Sequence, residues 1–236
     1  YHPSNMVLFV VGHIEPETMM QMIEENQNAK HFEKPQPITR EKIDEPRTVA
    51  KQETIQYMDV AMPKLTMAIK VDNVPDTPFE KLKRELSCNI ILDYLFSKSG
   101  DLYEEWTKDG LINDSFGGFF TQERDYAFIQ MGGDTFRVEE LKKALQTLVE
   151  ALPEKTLPKS DFERLKRQNI GNMIMLFNSP ESIANLFIRY YFENISAFEL
   201  IDALDALTYD DVVACLKLFD LSRSSTHIVL PKKENL

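Results

Sequence analysis

Phe116-Gly117-Gly118-Phe119-Phe120-Thr121 and Tyr126-Ala127-Phe128-Ile129-Gln130-Met131, joined around Glu123-Arg124-Asp125, read as the two antiparallel strands of one hairpin. Aromatic and aliphatic side chains fill both arms, and the charge collects at the turn. Gly132-Gly133 ends the pair, and this glycine pair, like Gly117-Gly118, serves close backbone approach. A hairpin sets consecutive strands side by side, which a chain of strictly alternating strands and helices does not do. The elements around it therefore decide the fold class.

Upstream, Leu65, Met67, Ile69 and Val71 alternate with Lys64, Thr66, Ala68 and Lys70, the period of a half-buried strand. Thr77-Pro78-Phe79-Glu80 is a capping box with proline at the first helical position. The helix it opens runs to about Ser97. Its last turns, Ile90-Ile91-Leu92 and Leu95-Phe96, are apolar nearly all round and belong in the core. Downstream, Val138, Leu141, Leu145, Leu148 and Leu152 repeat at three and four until Pro153 stops the helix. Helix starts follow at Ser160-Asp161-Phe162-Glu163, at Ser179-Pro180 and at Thr208-Tyr209-Asp210-Asp211, and Thr226 to Leu230 is a last strand. The order strand, helix, hairpin, helices, strand predicts an α+β fold: an antiparallel-dominated mixed sheet covered on one side by helices.

A separate segment precedes this block. Met6 to Val11 is a continuous apolar run ending at Gly12, the pattern of a strand buried on both faces, and Pro16 to Asn26 reads as a helix. From Asn28 to Thr48 the chain turns to charge and proline, with Pro35, Pro37 and Pro46, the composition of a linker. The expected division is 1–45, the tail strand and helix of a preceding unit with a linker, and 46–236, a second α+β domain. The capped helix and strand of Thr208 to Leu230 echo a unit of which Met6 to Val11 would be the closing strand. The opening on Tyr1, directly before a strand, reads as a fragment of something longer.

The net charge of −11 disfavours nucleic acid, because the basic residues do not segregate: Lys142-Lys143 and Lys232-Lys233 are isolated pairs. No apolar run reaches the ~20 residues of a membrane span, and no basic leader precedes Met6. Cys88 and Cys215 sit in apolar helical patterns and read as two separate thiols, which suits a reducing, cytoplasmic setting.

The residue pattern offers this chain alone no catalytic apparatus. His2, His13, His31 and His227 include no pair at i, i+4, and neither H-E-x-x-H nor H-x-x-E-H occurs. His13-Ile14-Glu15 and His31-Phe32-Glu33 are single juxtapositions in a turn and a linker. No G-x-S-x-G surrounds a serine, and the glycine pairs lack the lysine of a phosphate loop. Glu104-Glu105 and Asp210-Asp211 are surface and capping carboxylates of an acidic chain. No catalytic residue, metal ligand or cofactor site is expected here. What remains is the aromatic hairpin: Phe119, Phe120, Tyr126 and Phe128 are core residues first and a peptide-binding face second, with a sheet edge able to add an extended peptide as a strand.

Tyr1-His2-Pro3-Ser4-Asn5-Met6, the apolar run to Val11 and Gly12 resemble the "Y-x-P-x-N-M, strand, G" segment of pitrilysin/insulinase-type zinc metallopeptidases, with Ile14-Glu15-Pro16-Glu17 matching the helix start that follows. Gly110-Leu111-Ile112-Asn113-Asp114-Ser115-Phe116, Met131-Gly132-Gly133-Asp134-Thr135 and Asn178-Ser179-Pro180-Glu181 resemble a bacterial branch of that family. The resemblance implies two similar α+β domains, the first holding zinc through an inverted H-x-x-E-H motif that would lie before Tyr1. It implies that this chain is the zinc-free C-terminal part, forming a wall of a peptide-holding chamber and a subunit interface. The expected partners are the N-terminal catalytic domain, an extended peptide and a related subunit in a homo- or hetero-oligomer. The family's substrate-holding arginine and tyrosine fall, aligned on Gly110-Leu111, at Trp106 and Asn113. That departure hints that the parent is the zinc-bearing member of a pair. The alternative is a homologue without catalysis, serving binding or assembly.

Overall fold

The computed structural model describes residues 2–39, 41 and 46–232. Five strands form one sheet: β1 (Glu53–Met58), β2 (Lys64–Val71), β3 (Gly117–Gln122), β4 (Ala127–Asp134) and β5 (Ser224–Pro231). Their order is β1-β5-β2-β4-β3; β1 runs parallel to β5, and every other pairing is antiparallel. The last strand thus enters between the first two and ties the ends of the domain together. The Thr226 N–H donates to the Gln52 carbonyl at 2.8 Å, and Lys232 N–H to the Met58 carbonyl at 2.9 Å.

Alternation along the strands splits the sheet into two unlike faces. Leu65, Met67, Ile69 and Val71 of β2 are buried beside Ala127, Ile129 and Met131 of β4 and Ile228 of β5. The helices α2 (Pro78–Phe96), α4 (Val138–Ala151), α5 (Lys159–Leu176), α7 (Glu199–Ala206) and α8 (Tyr209–Cys215) contribute much of the rest of this core. The C-terminal half of α2 lies deepest, with Ile90, Ile91, Leu92, Leu95 and Phe96 all buried. That is why its sequence is apolar nearly all round. The α+β class, the mixed sheet and the one-sided helical cover are as the sequence predicts.

Gly132 and Gly133 do not end the hairpin. They lie inside β4, opposite Thr66 and Leu65, and close approach explains them. A Cβ on Gly132 would collide with the Leu65 carbonyl and lie 2.8 Å from Thr66 Cα; one on Gly133 would lie 2.7 Å from Phe116 Cα.

Helix ends follow the capping signals with one exception. Thr77 Oγ1 accepts from the Glu80 N–H at 3.3 Å, and Ser179 caps α6 (Pro180–Phe192). Thr208 and Asp211 form a complete reciprocal box. Ser160, however, is no cap: α5 begins at Lys159 after Pro158, and Asp161 pairs with Arg164 inside the first turn at 3.2 Å. Among the described strands and α-helices, β1, α7 and α3 (Asp101–Lys108) have no counterpart in the sequence reading.

The largest correction concerns Met6 to Val11. It is not a strand, and it is buried on neither face. Phe9 stacks on Phe187 of α6 at 5.2 Å, while Met6, Leu8 (67% exposed) and Val10 face outward. An apolar run becomes a buried strand only when a sheet edge accepts it, and neither β1 nor β3 does so here. Helix α1 (Pro16–Asn28) follows and buries no residue.

Candidate substrate-binding face

The second face of the sheet carries no helix. Register places on it Thr54 of β1, Ser225, His227 and Val229 of β5, Thr66, Ala68 and Lys70 of β2, Phe128 and Gln130 of β4, and Phe119 of β3. The four aromatic residues singled out from the sequence divide between the two faces. Phe119 pairs with Gln130 on the open face and is 50% exposed; Phe120 pairs with Ile129, points into the core and is 7% exposed. Tyr126, 52% exposed, stacks parallel on half-buried Phe128, with centroids 6.3 Å apart and planes at 8°. The open face therefore presents Phe119, Tyr126 and Phe128. Phe120 instead packs near the Arg84 guanidinium, 5.9 Å from the ring centroid.

A groove of about 990 Å³ runs along this face. Its floor includes Ala68, Lys70 and Phe128, one wall is the irregular approach Pro46 to Lys51, and the other is the Asp72–Asp76 turn with Lys81 and the hairpin tip Arg124–Tyr126. Sequence reading missed it, since its lining comes from separate stretches of chain.

Trp106 and Asn113, at the places of the family's substrate-holding pair, serve the fold. Trp106 is buried, edge-on to Phe116 at 6.0 Å. Asn113 Nδ2 donates to the Asp134 carbonyl at 3.1 Å, and its Oδ1 accepts from the Ser115 N–H at 2.9 Å. Neither supplies an exposed cation or phenol.

Among the described residues no three His, Cys, Asp or Glu side chains converge, so these residues do not fit a zinc site. His2 is held by Ser4 Oγ and by the Glu33 carbonyl, each at 2.8 Å. His227 lies in the open-face row between Thr54 and Thr66. Cys88 and Cys215, on α2 and α8, are unbridged. Burial pushes the Cys88 thiol well up, away from the reactive thiolate. Among the described residues no helix is long and apolar enough to cross a membrane.

Comparison with known proteins agrees with this architecture. The model of the "Peptidase M16 inactive domain" matches residues 1–169. The chain is 35% identical over 212 residues to the uncharacterized zinc protease YmfH of Bacillus subtilis (strain 168), covering 90% of this chain and 49% of that protein. It thus spans about half the length of this curated relative. Among solved structures, an M16-like peptidase from Alicyclobacillus acidocaldarius superposes with a TM-score of 0.84 at 21% identity, over 93% of this chain and 52% of the other. A protease from Helicobacter pylori gives 0.78 at 16% identity, over 94% and 54%. A peptidase M16 inactive domain from Pseudomonas fluorescens gives 0.66 at 13% identity, over 94% and 53%. At these identities the structural likeness speaks for the fold, and the sequence matches speak for the family. The chain belongs to the M16 peptidase family, in which it is an inactive peptidase domain.

Proposed function

We propose that this chain is the noncatalytic part of a zinc metalloendopeptidase and that its open sheet face forms one wall of the chamber that holds an extended peptide. The observation that carries the reading is the asymmetry of the sheet. One face is packed under helices, while the other keeps Phe119, Tyr126 and Phe128 and a long groove accessible. An uncovered face with aromatic side chains is expected to meet something in the working protein.

Within this proposal residues 1–45 are the tail of a preceding catalytic domain, and residues 46–236 are the zinc-free domain. Met6, Leu8 and Val10 are exposed because their sheet lies in that preceding domain. Zinc-dependent hydrolysis would take place there, on an H-x-x-E-H motif that this chain lacks. What this chain would supply is apolar contact, backbone edge and exclusion of water around the bound peptide. A related subunit, in a homo- or hetero-oligomer, completes the chamber, and the two unbridged thiols suit a cytoplasmic setting.

The test is peptide cleavage by the intact protein that contains this chain. Phe119→Asp together with Phe128→Asp should raise KM by about fivefold or more with kcat little changed, the loss of uniform binding. Unchanged KM overturns the reading of the face. The second reading is a noncatalytic binding or assembly subunit. An intact protein that binds peptides but cleaves none with zinc supplied would favour it.

A further inference from the structure

Helix α6 carries more apolar surface than this chain covers. Of Ile183, Leu186, Phe187, Ile188, Tyr190, Tyr191 and Phe192, only Tyr190 is buried. Tyr191 is 59% exposed. A helix is held chiefly by packing an apolar face, and α6 is also tied to α2 by the ion pair of Arg189 with Glu85 at 2.5 Å. Beside it lies an aromatic cluster outside the main core. Phe9 stacks on Phe187 at 5.2 Å, Phe187 meets Phe198 edge-on at 5.4 Å, and Phe198 stacks on Phe177 at 6.0 Å. The four rings come from the N-terminal segment, α6, the residue before α7 and the residue after α5. None of them is buried, and Phe198 is 58% exposed.

We infer that this surface is the docking face for the preceding domain of the same polypeptide, an apolar contact of which Phe9 on Phe187 is the part already in place. The inference rests on the reading of residues 1–45 given above and names the surface through which the two domains meet.

The occupant follows from Phe9. Burial alternates along its segment: Val7, Phe9 and Val11 are half-buried, while Met6, Leu8 and Val10 are exposed. In the reading above, this segment belongs to the sheet of the preceding domain. Neighbouring strands lie about 4.8 Å to either side of a strand. A sheet that contains Phe9 therefore sets its next strands over the groups that flank Phe187. Those groups are Tyr191, one turn further along α6, and Phe198 against the Phe187 ring. Both keep their exposure with α1 and the rest of the described chain in place. A second copy of the chain is the competing occupant, and dilution distinguishes it.

The experiment is photocrosslinking in the intact protein that contains this chain. A diazirine-bearing phenylalanine replaces Phe198, a near-isosteric change at an exposed site, and the protein is irradiated without peptide at a dilution where light scattering gives a monomer. The expected product joins position 198 to residues N-terminal to Tyr1 within one polypeptide. Phe187→Asp should lower its yield about fivefold, the scale of a lost aromatic contact. Capture of solvent alone, or a yield indifferent to Phe187→Asp, overturns the docking face. Capture that appears only at high concentration, in a product of doubled mass, assigns the surface to a second copy and overturns it as well. Peptide cleavage read on the same protein separates this inference from the reading it rests on. Cleavage without the crosslink fails the docking face alone, and the crosslink in a protein that cleaves no peptide fails the peptidase reading alone.

Discussion

At the scale of single residues, backbone proximity and buried polar groups set the tolerances of this domain. Gly132 allows β2 and β4 to approach without a side chain between them. Gly132→Ala should cost at least about 2 kcal/mol, because backbone atoms of Leu65 and Thr66 cannot move aside as a flexible side chain would. Gly171, inside α5 with open space around its Cβ position, is the control: Gly171→Ala should stabilise by about 1 kcal/mol. Urea unfolding of the two variants checks the contrast in sign. Asp211 adds a pH-dependent element. Burial alone would raise its carboxyl, but the Thr208 hydroxyl, the Lys83 ammonium at 2.9 Å and the Thr208 N–H hold it below the usual aspartate range. A depressed acid stabilises fully above its unfolded pKa and loses that contribution as pH falls through its folded pKa. Asp211→Asn should therefore cost about 1–2 kcal/mol at neutral pH, the scale of a lost cap. The difference from the native chain should close in strong acid, which thermal melts at a series of pH values would follow. The thiols give a third readout. Cys88 is fully enclosed and Cys215 half-buried, so an aromatic disulfide reagent should label at most Cys215 in the folded protein and both residues after unfolding.

At the scale of elements, the same physics explains what the sequence disclosed and what it hid. β2 and α4 were legible because each buries one face and leaves a period of two or 3.6 in the apolar residues, and α2 because its capping signal opens a long apolar helix. β1 left no such trace. It is an edge strand whose Ile55 and Tyr57 lie on the helix side of the sheet yet remain exposed. Helices α3 and α7 are eight residues each, too short for a repeat to stand out. Phe119 and Phe120 must point to opposite faces, but only the pairing of Phe120 with Ile129 tells which one is core. The groove was not legible at all, because Lys51, Lys70, Lys81 and Arg124 come from four separate stretches. Met6 to Val11 misled for the opposite reason: its composition suits a buried strand, and no described sheet edge takes it. Such a segment is an association hazard. Size-exclusion chromatography with light scattering should show this chain self-associating as concentration rises. The variant carrying Met6→Lys, Leu8→Lys and Val10→Lys should stay monomeric. A native chain that remains strictly monomeric would remove the segment from any role in association.

At the scale of the whole molecule, the domain is a one-sided sandwich closed by its own ends. β5 enters between β1 and β2, the helices seal one face, and the other face carries no helix. Membership in the M16 peptidase family, as an inactive domain, accounts for a large core with no converging metal ligands among the described residues. The proposed division of labour is that this domain holds and shapes the peptide while the chemistry lies elsewhere. The most direct measurement of that claim is site-specific photocrosslinking. A benzophenone side chain placed at Phe119, on the open face, or at Ile174, exposed on α5 in the helical layer, is irradiated with a labelled extended peptide. Capture at position 119 with none at 174 is the predicted result; equal capture at both positions, or capture at 174 alone, would contradict it.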